Sequence, residues 1–288
     1  MGTGWSLHAV GPPAATVHGV QAAFDLVVEQ MNQWEAESDL SRFNRAAPDV
    51  WHRVPGELAH VVEAALSIAR ASGGAFDAGL GRLTEAWGFG SAGPTANAPW
   101  LTGMSAARGI DFDPATRRIR RGEGAALDLS GIAKGYAVDL AAAWLLDMGV
   151  RHFLIEVGGE LRGEGIRPDG QPWWVDVEMP PSSSIASWRI ALHDLSVATS
   201  GNYRRGFSAD GQHYSHSFDP ATGRPIVNGV SSVTVLHRQC MMADGWATAL
   251  TVLGPETAII CADAGGLAAC IVADDREYLS RAWRHMLD

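Results

Sequence analysis

Cysteine is scarce: Cys240, Cys261 and Cys270 are the only three in 288 residues. Their odd number and apolar neighbours argue against a disulfide framework or a zinc site. They read as buried free thiols, which favours a reducing compartment. No long, dense run of Lys and Arg occurs and the net charge is −10, so nucleic acid is not an expected partner. No apolar stretch is long enough to span a membrane and no signal-peptide pattern is visible. As written, the chain reads as cytoplasmic; with a leader trimmed away it would read as periplasmic or membrane-anchored. Several motifs are also missing: the three-glycine dinucleotide fingerprint, the GKS or GKT end of a phosphate loop, Cys/His metal spacing, and a Ser-His-Asp set recognisable by spacing.

What remains is an ordinary globular composition, 47% hydrophobic and 19% charged. The length suits one domain over 1–288 that divides at most into two closely joined lobes. Apolar spacing predicts helices over 16–33, 57–71 and 134–148, then 243–253 and 256–264. On the third, Ala137, Leu140, Ala141, Trp144, Leu145 and Met148 form one stripe, and Gly149 ends it. Strands are predicted over 4–10, 152–157, 173–178, 187–193, 231–237 and 268–273, with an irregular connection over 91–107. The mixture lacks a regular βαβ repeat, so the fold class is α+β, with mixed or antiparallel sheets, packed helices and a cleft between lobes.

Glycine is plentiful, 33 residues, and clusters with polar residues at 73–90, 158–165 and 201–211. Such clusters mark either tight turns or places where backbone approaches a ligand. Asp244 and Thr248 lie four apart on a predicted helix, so both oxygens share a face. With backbone carbonyls and phosphate oxygens they would make a hard-oxygen set for Mg²⁺. Equally, they are an Asp near a helix start and a Thr that packs. In DLSGIAKGYAVD, Asp128 precedes a Gly131 turn, and Lys134 sits in the first turn of the next helix. That is either a phosphate cradle or a capped helix with an exposed Lys. In HYSHSFDPATGRP, His216 precedes the Asp219-Pro220 turn and is either a general base or a structural His. Asp77 among glycines is a ligand acceptor or an Asx turn, and Trp34 is a stacking face or a core side chain. Ser38, Asp39, Ser41 and Asn44 read as capping and turn chemistry, and Thr199, Ser200 and Gly201, following a strand, as the lining of a phosphate or flavin site or as a strand-end turn.

In order, the stretches ESDLSRFN, GAFD…WGFG, DLSGIAKGYAVD, VGGELRGEG, ATSGNYRRG, HSFDPATGRP and ADGWATAL resemble the FAD:protein FMN transferase (ApbE) family. The resemblance runs from Met1-Gly2-Thr3 to the helix ending near Gly254. It implies an α+β fold with a flavin cleft and a Mg²⁺-dependent enzyme that cleaves FAD. The product would be FMN joined by a phosphoester to Thr or Ser of an acceptor flavoprotein, a post-translational flavinylation that releases AMP. The resemblance implies Asp244, Thr248 and the Gly131 carbonyl as metal ligands. Met1, Trp34, Ala75, Phe76, Asp77, Asp128, Lys134 and Phe218 would contact FAD. His216 or Asp244 would take the acceptor's proton. Trp34 stands where members often carry Tyr, keeping a π-face and losing a hydroxyl, and Phe218 stands where many carry Ile. Two other outcomes use the same residues: an FAD pyrophosphatase giving FMN and AMP, and a non-catalytic FAD-binding protein.

Overall fold

The computed structural model describes residues 2–90, 109–181, 183–203, 206–209 and 212–287. The first third supplies β1 (Trp5–Ala9), α1 (Thr16–Met31), α2 (Asp39–Arg45), β2 (His52–Arg53), α3 (Gly56–Ala71) and α4 (Gly81–Ala86). Next come β3 (Ile110–Asp113), β4 (Arg118–Arg121), α5 (Ala133–Asp147), β5 (Phe153–Val157), β6 (Glu160–Glu164), β7 (Trp173–Asp176) and β8 (Arg189–Leu192). They are followed by β9 (Leu195–Gly201), β10 (Gly206–Ala209), β11 (Gln212–Ser215), β12 (Phe218–Asp219), β13 (Arg224–Pro225) and β14 (Val230–His237). The last elements are α6 (Cys240–Leu253), α7 (Pro255–Gly265), β15 (Ala268–Ala273), β16 (Arg276–Leu279) and α8 (Arg281–His285).

Among the described residues, seven strands form one sheet in the order β1-β5-β6-β9-β14-β15-β16, and every neighbouring pair is antiparallel. Side chains alternate across a strand. On β15, Ala269, Ile271 and Ala273 join the larger core, whereas Ala268 and Cys270 join a smaller cluster with Trp173, Leu192 and Trp283. Both faces of the sheet are therefore covered. Helices α5 and α6 lie on one, and the β7–β8 hairpin and α8 on the other. This explains why β15 reads as a continuous apolar run. Phe153 and Ile155 are fully buried on the helix side, and each such burial stabilises the fold by about 1.5–3 kcal/mol.

Helix α5 lies between α1 and α6 and over β5 and β6. Val138 and Ala142, outside the expected stripe, are as buried as Ala137, Ala141 and Leu145 within it. The helix is thus apolar on more than one side, wider than the expected stripe, and Met148 at its end is exposed. Its approach to α6 requires glycine: a Cβ on Gly135 would lie 2.4 Å from the Cys240 carbonyl oxygen. Asp139 of α5 reaches the start of α6 and accepts from the Cys240 and Met241 N–H groups at 3.0 and 2.9 Å. This is an N-cap supplied by another helix. Arg162 of β6 pairs with the same carboxylate at 2.8 Å.

The expected helices are present, with α6 beginning three residues earlier than predicted. The capping expected of the Ser38–Asn44 stretch is present: Ser38 accepts from the Ser41 N–H and caps the short helix α2. Helices α2, α4 and α8 and strands β2, β3, β4, β6, β10, β11, β12, β13 and β16 have no counterpart among the predicted elements. Thr199, Ser200 and Gly201 lie within β9 and pair with β14, so they do not follow a strand. The segments predicted as strands over 173–178 and 187–193 form the separate β7–β8 hairpin. Cys240 and Cys270 are buried free thiols, but Cys261 is only half-buried. The 91–107 connection lies outside the described residues, and among those described no helix is long and apolar enough to cross a membrane.

Candidate functional site

A cleft of about 380 Å³ opens between α1, the turns after α3, the start of α5, the end of β9 and one face of α6. The volume lies within the range of small-molecule sites. Trp34, Ala75, Phe76, Asp77, Asp128, Gly131, Lys134, His216, Phe218, Asp244 and Thr248 all line it. Of the residues implied by resemblance, only Met1 lies outside the described chain; its neighbours Gly2 and Thr3 line the cleft.

The floor is polar. Asp244 and Thr248 project from α6 toward the turn that starts α5. The Thr248 hydroxyl lies 3.3 Å from the Gly131 carbonyl oxygen and 3.3 Å from the Ser200 hydroxyl. Asp244 Oδ2 accepts from the Gly135 N–H at 3.0 Å, and Oδ1 stands 3.8 Å from Lys134 Nζ. Beside them is Glu160, which sequence reasoning did not single out. It is 2% exposed, pairs through Oε1 with Lys134, and its Oε2 finds no hydrogen-bond partner among the described residues.

Burial raises the Asp244 pKa, against the opposing pull of Lys134 and the Gly135 N–H. Burial likewise pushes Glu160 up to about 7; Lys134 opposes this and Asp244 adds to it. Burial alone would lower the Lys134 pKa, but the two carboxylates outweigh it, so the ammonium stays charged above the ordinary lysine range.

Among the described residues no three His, Cys, Asp or Glu side chains converge as a metal cage. The donors present are one carboxylate, one or two hydroxyls and a backbone carbonyl. That set fits Mg²⁺, which keeps several waters and takes one or two carboxylates plus substrate phosphates, and it does not fit a soft metal.

The walls carry the aromatic and hydrogen-bonding groups. Trp34 is 44% exposed, so its indole is not consumed by the core. Asp128 Oδ1 accepts from the Ser130 N–H and hydroxyl, and Oδ2 from the Thr84 hydroxyl at 2.8 Å. Asn44 clamps the preceding residue, donating to the Leu127 carbonyl and accepting from its N–H. Asp77 forms the Asx turn, accepting from the Gly79 N–H at 2.7 Å. Phe218 is buried against Trp87 and Phe89, with ring centroids 6.1 and 5.9 Å away, and the His216 ring lies 6.3 Å from Phe89. The WGFG and HSFD stretches thus meet around His216.

Glu160 was missed because a charged residue in a glycine-rich stretch reads as a surface turn. The available signal was the Gly158-Gly159 pair after an apolar run, which marks a two-residue hairpin. Both glycines have positive φ, +60° and +102°, as that turn requires, and Val157 pairs with Glu160 across it.

Fold and cleft together define the architecture of the solved flavin transferases. The chain superposes on the structure of "Flavin Transferase ApbE from Vibrio cholerae" with a TM-score of 0.86 and 33% identity, covering 99% of this chain and 96% of that one. The apo flavinyl transferase ApbE of Pseudomonas stutzeri gives 0.83 and 32%, covering 98% and 96%. The chain belongs to the ApbE family, whose model matches residues 1–271. A Vibrio cholerae protein named FAD:protein FMN transferase is 34% identical over 305 residues, covering all of this chain and 90% of that protein.

Proposed function

We propose that the chain is an FAD:protein FMN transferase that acts as a single unit over 1–288. It would move FMN from FAD to a Thr or Ser hydroxyl of an acceptor flavoprotein and release AMP. The observation that carries this reading is the convergence in one cleft of an exposed indole, a helix N-terminus bearing Lys134, and the Asp244–Thr248–Gly131 oxygens. The flavin ring would lie against Trp34 and the Phe76 and Phe218 walls, and the pyrophosphate at the start of α5.

Asp244, Thr248 and the Gly131 carbonyl would hold Mg²⁺. When bound, the cation would neutralise phosphate charge and polarise the phosphorus. The acceptor hydroxyl oxygen attacks the FMN phosphorus as the bond to the AMP oxygen breaks. His216 takes the hydroxyl proton, with Asp244 as the alternative base, and AMP leaves with its phosphate. Lys134 would offset the charge that develops on the phosphate oxygens. Phosphoryl transfer depends mainly on positioning and charge neutralisation, so this short set suffices.

Incubation with FAD, Mg²⁺ and a candidate acceptor tests the reading. Mass spectrometry of the acceptor is expected to show an added FMN, with a fluorescent band on a denaturing gel. Free FMN and AMP with an unmodified acceptor would instead identify a pyrophosphatase. Bound FAD with no AMP would identify a carrier.

A further inference from the structure

Glu160 costs the fold stability. A carboxylate 2% exposed, with one oxygen unpartnered among the described residues, is less favourable than an apolar side chain of the same shape. Its place is nonetheless fixed by the Gly158-Gly159 turn and the Val157–Glu160 register. It lines the cleft floor together with Lys134 and Asp244. The three groups are arranged unequally. The Lys134 ammonium is in close contact with Glu160 Oε1, yet it stays 3.8 Å from Asp244 Oδ1, beyond a direct hydrogen bond. The other Asp244 oxygen is already committed to the Gly135 N–H.

We propose that Glu160 is a positioning residue: it anchors the Lys134 ammonium away from Asp244 and so keeps Asp244 Oδ1 open to a divalent cation. The inference rests on the oxygen set being a cation site. Lysine carries its charge on a flexible four-carbon stem. With Glu160 neutral, that charge has one carboxylate left to pair with in a poorly solvated pocket. The gap then closes to a charge-assisted hydrogen bond of about 2.7–2.9 Å. The ammonium then competes with the cation for the same oxygen. Glu160 need not touch the cation for this effect.

The test is a double-mutant cycle on the ligand-free protein, with Mn²⁺ as the probe and free Mn²⁺ read by its paramagnetic resonance signal. Glu160→Gln is expected to weaken Mn²⁺ binding about tenfold or more, the worth of one hydrogen bond to a charged group. In a Lys134→Met background the same change is expected to alter binding less than about twofold, because the competing ammonium is gone. Equal weakening in both backgrounds would mean that Glu160 acts through its own charge or as a ligand, and would overturn the proposal. No weakening with Lys134 present would overturn it too. Should Glu160→Gln fail to fold, Glu160→Asp, which draws the anchor back by one methylene, takes its place in the cycle under the same criterion. The cation reading is checked separately: wild-type binding must be lost in Asp244→Ala, and if it is not, both ideas fall. FMN transfer is read in its own assay, so failure there leaves the cycle interpretable.

Discussion

Asp244 is pulled in two directions: burial disfavours its charge, while Lys134 and the Gly135 N–H favour it. A cation would resolve that conflict, so Asp244→Ala is expected to abolish Mg²⁺-dependent turnover, measured as AMP release; activity near the wild-type level would remove the metal assignment. His216 lines the same cleft, and His216→Ala is expected to slow FMN transfer by about 10²–10⁴-fold if it is the base. An unchanged transfer rate would move the proton to another group. Glu160 gives a prediction about stability. Its pKa is raised from 4.5 to about 7 in the fold, where Lys134, Asp244 and the Cys240 thiol are its charged or titratable neighbours. Between those two pH values the folded protein holds a proton that the unfolded chain has released. Stability therefore falls as pH rises from about 4.5 to about 7, and this contribution is flat above. In thermal melts without divalent cation, Glu160→Gln is expected to reduce that slope and to melt higher relative to wild type at pH 8 than at pH 5. A parallel pair of pH profiles would rule this out. At this scale the sequence offered Asp244, Thr248, Lys134 and His216 as chemical types at suggestive spacings. It did not offer Glu160, whose burial depends on α6, far along the chain, closing together with α5 over the β5–β6 hairpin.

The α5–α6 junction decides whether these side chains meet at all. Asp139 receives two N–H groups from the first turn of α6 and pairs with Arg162 of β6, tying two helices and the sheet at one carboxylate. Asp139→Ala is expected to destabilise the protein by about 2 kcal/mol, the combined worth of a cap and its charged hydrogen bonds. Urea unfolding measures this, and a change under about 0.5 kcal/mol would show that the cap is replaceable. Helices with a clear apolar face were legible to within a few residues because the 3.6 period is local information. Strand β6 was not, since Glu160, Arg162 and Glu164 contradict strand propensity and are tolerated only through Lys134 and Asp139. Strand β9 was partly hidden for a similar reason. Its end carries Thr199 and Ser200, whose hydroxyls are met by Thr234 on β14 and Thr248 on α6.

At the scale of the molecule, the α+β class followed from irregular alternation of helix and strand patterns. The all-antiparallel order of the large sheet did not, because neighbours such as β1 and β5 lie far apart in the chain. A cleft walled from so many segments predicts that its ligand stabilises the whole fold. FAD with Mg²⁺ at about 100 times the dissociation constant is expected to raise the melting temperature by about 5 °C. The Mg²⁺-dependent part of that rise should vanish in Asp244→Ala; a rise of equal size in the variant would detach the cation from these residues. The spread of the walls also has a consequence for biosynthesis. Gly2 and Thr3 line the same space as Asp244, Thr248 and Val252. While a ribosome is still threading out the middle of the polypeptide, the early wall has nothing to face. The nascent chain therefore cannot hold FAD until translation has passed α6, and competence to bind this substrate is among the last properties each new molecule acquires.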